Sequence, residues 1–500
     1  MRRPTAFLLL LLSPLAFLSP ALAEEKFTAN WPQWRGPEAD GNAPAAAPPT
    51  EWSETKNVRW KVKIPGSGTS TPIIWGDKIF ITTAVPTPKK VSLVPGEGGK
   101  PENPNPTSSP APVLVSTGEP APPAAPPAAE TPPAAQPNPP REGRRGGGGS
   151  RGPGGGGRGP GGGGGTPESP YQFQILCLDR STGRTLWQQT PTEEQPHEGH
   201  HQDHGFASHS PITDGTHVYA YFGSRGLHCY DLEGKKIWSK TFGKMRTRNA
   251  FGEGSSPLLT GDFIIVNWDH EGEDFIAALD KKTGEERWRK NRDEPTTWAT
   301  PLAVDFNGKT QVVVSATNRI RSYDLTTGDQ IWECGGMTAN VIPSPVTADG
   351  IVYAISGFRG NAVRAIRLGK TGDLTGTDAI AWSYDTKAPY VPSPLLSEGR
   401  LWFHSQNTGI ISCLDAKTGN VLIDAQRLEN FAGVYASPVA AAGKIYLTGR
   451  NGEGIVLRNS GKLEVLATNK LDEKFDASPA LAGKDLLLRG HQFLYCLSES

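Results

Sequence analysis

The chain has 500 residues, and its 51 basic side chains balance 51 acidic ones. A dedicated nucleic-acid-binding protein would carry a basic excess, so this balance argues against one. A hydrophobic content of 36% with 13 Trp is enough for a large core.

The first 23 residues are typical of an export signal. Arg2 and Arg3 precede an apolar stretch from Ala6 to Leu18, and Ala21-Leu22-Ala23 is a small-x-small cleavage site. An uncleaved anchor is the alternative, but the stretch is shorter than the ~20 apolar residues that a membrane span needs. We predict a chain exported to the periplasm or the medium, cleaved near Ala23, that does not span a membrane.

Two segments stand apart from the rest of the sequence. Residues 24–56 contain WPQWRGPEADG (31–41), whose two Trp need cover, and we expect this N-terminal extension to pack on the main domain. Residues 86–170 are first Pro/Ala-rich and then Gly/Arg-rich, with almost no aromatic or branched apolar side chains. Such a composition cannot bury enough surface to order itself, so it predicts a disordered insertion.

A repeat of ~40 to 45 residues runs through the remainder and is marked by a Ser/Thr-Pro pair. The pairs are Thr71-Pro72, Ser210-Pro211, Ser256-Pro257, Thr300-Pro301, Ser344-Pro345, Ser393-Pro394, Ser437-Pro438 and Ser478-Pro479. Each is followed by short strands rich in Val, Ile, Tyr and Phe, separated by Asp-Gly and Thr-Gly turns. Four short strands per repeat predict an all-β fold, an eight-bladed β-propeller over residues 57–500.

The last repeat holds only three strands, and NVRWKVKI (57–64) is available to complete it. We therefore predict that this N-terminal segment closes the ring as the outer strand of the last blade, which removes exposed sheet edges. The turns between strands one and two and between three and four share one face, here called the stereotyped face. The two-to-three turns and the blade-to-blade loops share the other, here called the variable face, where binding groups are expected.

Two recurring polar or reactive residue types have a structural explanation. An Asp precedes the turn between strands three and four in five repeats (Asp179, Asp231, Asp280, Asp324 and Asp415) and is placed to accept backbone N–H bonds. Four of the five Cys (Cys177, Cys229, Cys413 and Cys496) occupy one strand position on separate blades. A disulfide needs Cα atoms within about 7 Å, so we expect free, buried thiols.

The phrase Ala/Cys/Ser-x-Asp, then Thr-Gly, then Trp resembles the tryptophan-docking repeat of the pyrroloquinoline quinone (PQQ) propellers. Its docking positions hold Trp60, Trp187, Trp238, Trp288, Trp332 and Trp382. The resemblance covers residues 57–500 apart from the insertion, and it implies the propeller fold more specifically than any activity.

The resemblance leaves two functions open. Quinoprotein dehydrogenases of this family hold PQQ and Ca²⁺ at the axis and oxidise alcohols or sugars, but the adjacent Cys pair of many members is missing from this sequence. The propeller subunit of the outer-membrane β-barrel assembly machinery is instead a non-enzymatic scaffold. We favour an exported, monomeric, non-catalytic scaffold that binds a protein or an envelope ligand; no catalytic residue or cofactor is assigned, and PQQ with Ca²⁺ belongs to the alternative.

Three sets of residues on the variable face are candidate binding groups. Residues just before each Ser/Thr-Pro pair should ring the axial mouth, where a small ligand or a cation is the candidate and a silent, water-filled funnel the alternative. The mouth candidates are Glu253, Trp298, Tyr390, Tyr435 and Asp476. Anion-binding candidates from the two-to-three turns are Arg225, Arg319, Arg359, Arg450 and Arg489, with simple solvated turn residues as the alternative.

The segment HEGHHQDHGFASH leads into the second blade and holds half of the ten His. Zinc or copper could be held by His200, His201 and His204, with Asp203 or Glu198 assisting. Ordinary exposed loop histidines are the alternative.

Overall fold

A computed structural model describes residues 27–88 and 163–499. Its regular structure is almost entirely β-strand, apart from the 3-10 turns Gly223–Arg225 and Arg248–Ala250, and the strands form the eight blades of a β-propeller. Within the described ranges no helix is long and apolar enough to cross a membrane. The predicted signal peptide, residues 1–23, lies outside these ranges.

The strands are listed here in chain order. The first half comprises β1 (Val58–Lys63), β2 (Ile73–Trp75), β3 (Lys78–Pro86), β4 (Tyr171–Asp179), β5 (Thr185–Glu194), β6 (Ile212–Thr213), β7 (His217–Tyr221), β8 (Leu227–Asp231), β9 (Lys236–Lys240), β10 (Leu258–Thr260), β11 (Phe263–Trp268), β12 (Phe275–Asp280), β13 (Glu286–Asn291), β14 (Leu302–Phe306), β15 (Lys309–Val314), β16 (Ile320–Asp324) and β17 (Gln330–Cys334). The second half comprises β18 (Val346–Ala348), β19 (Ile351–Ser356), β20 (Ala362–Arg367), β21 (Gly372–Asp373), β22 (Ile380–Tyr384), β23 (Leu395–Ser397), β24 (Arg400–His404), β25 (Ile410–Asp415), β26 (Val421–Arg427), β27 (Val439–Ala441), β28 (Lys444–Thr448), β29 (Glu453–Arg458), β30 (Val465–Lys470), β31 (Ala480–Ala482), β32 (Asp485–Arg489) and β33 (Phe493–Leu497).

Seven blades are built from strands that follow each other in the sequence. Blades one to four are β2–β5, β6–β9, β10–β13 and β14–β17; blade five is β18, β19, β20 and β22; blades six and seven are β23–β26 and β27–β30. Blade eight joins β31, β32 and β33 to β1, which pairs antiparallel with β33 so that Trp60 faces Cys496. The predicted closure by the N-terminal strand is therefore confirmed.

The recurrent Asp-x-x-Thr-Gly-x-x-x-Trp phrase connects neighbouring blades. In blade three the Oδ1 atom of Asp280 accepts the backbone N–H groups of Lys282 (2.9 Å) and Thr283 (3.0 Å), which is the turn role predicted for the repeated Asp. Gly284 has φ +72°, and a Cβ there would lie 2.6 Å from the ring of Trp238 of blade two. The indole of Trp238 donates to the carbonyl of Lys281 at 3.1 Å.

The same indole-to-carbonyl bond recurs around the ring. It joins Trp60 to Arg180, Trp187 to Leu232, Trp288 to Leu325 and Trp382 to Ala416. The glycine that each indole covers takes a positive φ, and a side chain there would also collide with the ring. Both facts favour glycine at this position. The phrase thus joins each Trp to the turn of the next blade.

Blade four departs from this pattern. Trp332 donates to Gln311 of its own blade at 3.1 Å, because blade five has no Asp-x-x-Thr-Gly turn to receive it. Blade five instead extends its third turn, and β21 from that turn pairs in parallel with β17. Leu368, Leu374 and Ala379 then pack with Trp332 in one apolar cluster.

The described ends of the predicted insertion lie between β3 and β4 of blade one. These strands pair as far as Pro86 with Tyr171. Gly163 and Gly164 donate backbone N–H groups to the carbonyls of Asn249 (2.8 Å) and His200 (2.7 Å) on the variable face. Most of the insertion, residues 89–162, lies outside the described residues.

All five Cys are free and buried, which the sequence predicted for Cys177, Cys229, Cys413 and Cys496. Burial raises the pKa of the Cys177, Cys229, Cys413 and Cys496 thiols to about 12, so these side chains behave as small apolar groups of the blade interiors.

Candidate functional site

A funnel with a volume of about 370 Å³ opens along the propeller axis on the variable face. The residues two positions before each Ser/Thr-Pro pair all line it. They are Thr69, Ser208, Gly254, Trp298, Ile342, Val391, Tyr435 and Asp476. This volume lies within the range of about 300–1,000 Å³ that is usual for small-molecule sites.

The Ser/Thr-Pro pairs form a ring of hydrogen bonds around this axis. Seven of the eight hydroxyl oxygens accept the backbone N–H of the matching Ser or Thr one blade earlier, at 2.8 to 3.1 Å. The bonds run from Thr71 to Ser210, Ser210 to Ser256, Ser256 to Thr300, Thr300 to Ser344, Ser344 to Ser393, Ser393 to Ser437 and Ser437 to Ser478. The motif that marks the repeat in the sequence therefore links the blades at the centre.

The N-terminal extension closes the funnel on the stereotyped side. Trp34 lines the funnel, and its neighbour Arg35 is fully buried. Arg35 donates to the carbonyls of Pro394 and Pro438 (both 2.6 Å), which belong to the Ser/Thr-Pro pairs of blades six and seven. The funnel is thus blind, and a ligand has access to it from the variable face.

The extension continues past this floor along blade seven and blade eight. Ala43 and Gly41 exchange backbone bonds with Ala440, and Trp52 donates its backbone N–H to Asn469 Oδ1 at 2.7 Å. Burial of Trp31 and Trp52 removes from water the two large rings at either end of the described extension.

Arg450 organises one side of the funnel mouth. Its guanidinium donates to both carboxylate oxygens of Asp476 (2.6 and 3.1 Å) and to Asp203 Oδ1 (2.9 Å). Tyr435 donates its hydroxyl to Asp203 Oδ2 at 3.0 Å and lies under the guanidinium, 4.0 Å away. His491 Nε2 lies 2.8 Å from Asp476 Oδ2. We call these five side chains the rim cluster.

The rim cluster ties the loop before blade two to blades seven and eight. Burial of Asp203 disfavours its charged form, but hydrogen bonds from Arg450 and Tyr435 outweigh this effect and lower the pKa of that carboxyl. Burial of Arg450 opposes its charge, yet its bonds to Asp476 and Asp203 raise its pKa. The Asp203 carboxylate and the Arg450 guanidinium are therefore ionised together at neutral pH.

Glu253 does not lie in the mouth where the sequence placed it. Its carboxylate is buried and accepts bonds from the Ser224 backbone N–H (2.6 Å), the Ser224 hydroxyl (2.7 Å) and Arg225 (3.0 Å). Burial raises its pKa, and Arg225 opposes that rise. Glu253 directly precedes Gly254 at the mouth, but its bonds to Ser224 and Arg225 hold its side chain against blade two and away from the funnel.

Trp298, Tyr390, Tyr435 and Asp476 do line the funnel, and Trp34 and Phe251 add two aromatic rings that the sequence did not indicate. Trp298 is held by an indole bond of 2.7 Å to the Gly252 carbonyl, and its ring centre lies 6.5 Å from that of Phe251. Tyr390 stacks on Phe358 at 4.8 Å. Half-buried aromatic faces therefore border the cavity on several blades.

His201 and His204 line the funnel, whereas His200 packs edge-on against Phe206 and bonds to the His201 carbonyl. Burial lowers the pKa of His204 to about 4, and its Nδ1 lies 2.8 Å from the Ser208 hydroxyl. In the described part of the chain no group of three or more His, Cys, Asp or Glu side chains is arranged to hold a metal ion. The three predicted ligands are thus neighbours in sequence, with separate contacts, and metal binding by them stays a prediction.

The Ser208–His204 pair has the distance of a nucleophile and its base. The low pKa of His204 makes it a weak base at neutral pH, and the Ser208 hydroxyl is also engaged by Thr69 (3.0 Å) and by the Gly205 carbonyl (3.0 Å). These contacts are those of a hydrogen-bonded turn at the end of the loop before blade two.

The five predicted anion-binding arginines differ in their surroundings. Arg225 is buried between Glu194 and Glu253, and Arg489 is buried and donates to the Ser70 carbonyl at 3.1 Å. Arg450 is taken up by the rim cluster, and Arg319 lies 3.6 Å from Glu333. Arg359 is exposed at the two-to-three turn of blade five, beside Phe358. The two-to-three turns thus supply arginine in five blades without one shared exposed patch.

The fold and the axial funnel define a β-propeller of the PQQ-like repeat type. A family model described as outer membrane protein assembly factor BamB matches residues 172–424 and 274–499, which together exceed half of the chain. The chain belongs to this family. No curated protein sequence matches it.

Solved structures with the same fold are distant in sequence. A europium-containing methanol dehydrogenase superimposes with a TM-score of 0.55 at 10% identity, over 93% of this chain and 90% of that one. The quinohemoprotein alcohol dehydrogenase ADHIIG from Pseudomonas putida HK5 gives 0.51 at 9% identity, over 96% and 82%. BamB from Moraxella catarrhalis gives 0.45 at 15% identity, over 65% and 91%. At these identities the similarity to the two dehydrogenases shows the fold alone.

The carboxylates at the axis are not free to hold the Ca²⁺ that the resemblance implies. A calcium ion needs several oxygen ligands, usually including free carboxylates. The two carboxylates that line the funnel, Asp203 and Asp476, are both bonded to Arg450, and a cation would have to displace it. The five buried Cys lie inside the blades, so none of them lies against the funnel.

Proposed function

We propose that this chain is an exported, non-catalytic propeller that binds a protein or cell-envelope ligand through its variable face. The observation that carries the proposal is the blind axial funnel, about 370 Å³ in volume, with aromatic walls and a mouth on that face. Its charged side chains are paired with one another, as in a preformed recognition site.

The difference between the two faces also supports binding on this side. The turns of the stereotyped face repeat one phrase and are committed to bonds between blades. The loops of the variable face differ from blade to blade and carry exposed side chains such as Arg359, whose neighbour Phe358 stacks on the funnel residue Tyr390. Variable loops on a rigid scaffold are a common location for recognition.

The binding arm of the test uses co-sedimentation of the chain from residue 24 onward with isolated cell-envelope fractions. Arg359→Glu places a reversed charge on the variable face, and Lys417→Glu does the same on the stereotyped face, where Lys417 is exposed. We expect saturable binding that Arg359→Glu weakens and Lys417→Glu leaves unchanged. Equal effects of both substitutions would contradict recognition by the variable face.

The catalytic arm tests the quinoprotein alternative. The same protein is incubated with PQQ and Ca²⁺ and assayed with alcohols and sugars by reduction of an artificial electron-accepting dye. We expect no turnover above that of the free cofactor. Reproducible, protein-dependent dye reduction would overturn the non-catalytic proposal in favour of a PQQ-dependent dehydrogenase.

A further inference from the structure

The floor of the axial funnel carries hydroxyl groups with unused hydrogen-bond donors. The oxygens of Ser210, Ser256, Thr300, Ser437 and Ser478 each accept a backbone N–H from the neighbouring blade. A hydroxyl that accepts in this way keeps its own hydrogen for donation. All five line the funnel, and in the described ranges none of their hydrogens has a protein acceptor. The ring thus offers donors to an oxygen-rich ligand.

The walls of the funnel supply apolar contact beside these donors. Trp298, Phe251, Tyr390 and Tyr435 are half-buried, so part of each ring remains open to the cavity. Trp34 provides a further ring at the closed end. Aromatic faces next to convergent hydroxyls suit a ligand that is itself apolar on one face and polar at its edge.

The charges of the mouth favour an uncharged ligand. Arg450 already serves both Asp203 and Asp476, so a cationic ligand would compete with a fixed guanidinium. An anionic ligand would meet two carboxylates. Each carboxylate oxygen can accept more than one hydrogen bond, so the pair can still receive ligand hydroxyls.

From these three observations we infer that the axial funnel binds a neutral carbohydrate, one or two sugar rings in size, stacked on Trp298 with its oxygens at the hydroxyl ring. The sugar is either a free saccharide or the end of an envelope glycan. This inference rests on the proposed binding function and names the ligand class of that same site. Because the funnel is blind, a glycan enters by its end rather than along its length.

The test is isothermal titration calorimetry on the chain from residue 24 onward. The neutral probes are glucose, galactose, N-acetylglucosamine and the disaccharides cellobiose, lactose and chitobiose. Choline is the cationic comparison and citrate the anionic one. We expect saturable, one-site binding of at least one neutral sugar and none of choline or citrate. Absence of sugar binding, or preference for a charged probe, would overturn the inference.

Substitutions assign the binding to the funnel. Trp298→Ala is expected to weaken sugar binding about tenfold or more, since truncating a central aromatic contact usually has such an effect. Asp476→Asn is a second variant, expected to weaken it less. Trp382→Phe is the matched control, a tryptophan on an outer strand that bonds to Ala416, and it should bind as the unsubstituted chain does. Unchanged binding by both funnel variants would place the sugar elsewhere and overturn the inference.

Two further comparisons separate the possible failures. If a free disaccharide and an immobilised oligosaccharide with the same end unit bind equally, the end unit is the ligand; binding of the free saccharide alone identifies a small-molecule site. If sugars fail to bind while envelope co-sedimentation still responds to Arg359→Glu, the carbohydrate inference falls and the proposed function stands. If sugars bind but envelope material does not, the carbohydrate inference stands and the proposed binding of an envelope ligand falls.

Discussion

The two faces of this propeller use similar residue types in opposite ways. On the stereotyped face, Asp, Thr, Gly and Trp recur, and each finds a partner in its own turn or in the next blade. In the funnel that opens on the variable face, hydroxyl oxygens of the axial ring accept hydrogen bonds, but five of these hydroxyls have no protein acceptor for their hydrogens among the described residues. Aromatic rings such as Trp298 stay partly open to the cavity. The polar groups of the repeated turns are therefore occupied by bonds within the protein. Groups available to a ligand occur at the axis and where the repeats differ.

The largest expected effect compares a tryptophan from each face. Trp288 is buried, bonds to Leu325 and covers Gly328, so Trp288→Ala should lower the free energy of unfolding by about 3–5 kcal/mol. Trp298 is half-buried at the funnel, and Trp298→Ala should cost clearly less stability. Urea unfolding measures both. Equal losses of unfolding free energy would contradict the distinction between Trp288, which packs between blades, and Trp298, which lines the funnel.

A second comparison lies within the variable face. Glu253→Gln removes the charge from a buried carboxylate that bonds to Ser224 and Arg225, and we expect a loss of about 2–3 kcal/mol. Asp293→Asn changes an exposed carboxylate paired with Arg321, and a loss of about 0.5 kcal/mol or less is expected. Urea unfolding measures both losses of stability. Similar losses for the two variants would show that the bonds of Glu253 to Ser224 and Arg225 do not stabilise the fold.

The third prediction concerns pH. Burial lowers the pKa of His209 to about 3, with His204 and Arg225 adding to the effect, whereas an unfolded histidine titrates near about 6.5. Between these values the unfolded chain binds a proton that the folded chain does not, so stability falls as pH decreases from 6.5 towards 3. His209→Phe should reduce the loss of unfolding free energy between pH 7 and pH 4.5 by about 1.4 kcal/mol or more.

The control for this prediction is His491→Phe. His491 is an exposed residue of the rim cluster, and its replacement should leave most of the acid sensitivity in place. Urea unfolding at both pH values measures each variant. An unchanged pH dependence in His209→Phe would contradict the assignment of His209 as a buried neutral group.

The smallest effect is expected in a single stereotyped turn. Asp415 Oδ1 accepts the backbone N–H (2.8 Å) and hydroxyl (2.7 Å) of Thr418, and these bonds lower the pKa of the carboxyl. Asp415→Ala should cost about 1 kcal/mol in unfolding free energy, without effect on ligand binding. The exposed Glu429→Ala is the control and should stay within about 0.5 kcal/mol of the unsubstituted chain. A tenfold change in ligand affinity on Asp415→Ala would contradict the separation of the two faces.

The sequence predicted most of the fold because the fold is local and periodic. Each hairpin follows from its own turn residues, and the period alone placed the eight residues that ring the mouth. The closing strand was predictable because the last repeat lacks a partner for β33.

The details of the site depended on contacts that no local pattern encodes. Glu253 and Gly254 are adjacent, yet only the second lines the funnel, because the Glu253 carboxylate bonds to Ser224 and Arg225 of blade two. Arg450 joins Asp203 and Asp476, which are far apart in the sequence. Trp34 lies at the floor because Arg35 bonds to blades six and seven. Trp31 and Trp34 did indicate a need for cover, but not where that cover would be.

The pairing of β1 with β33 has a consequence for how the chain folds. Its first strand cannot complete a sheet until the last strand is present, so this contact has the longest sequence separation among the blades. Contacts of that kind slow folding, since the entropy of closing the loop is lost before the contact contributes. We therefore expect blades that form during synthesis to make an unclosed ring, and the pairing of β1 with β33 to be a late step of folding.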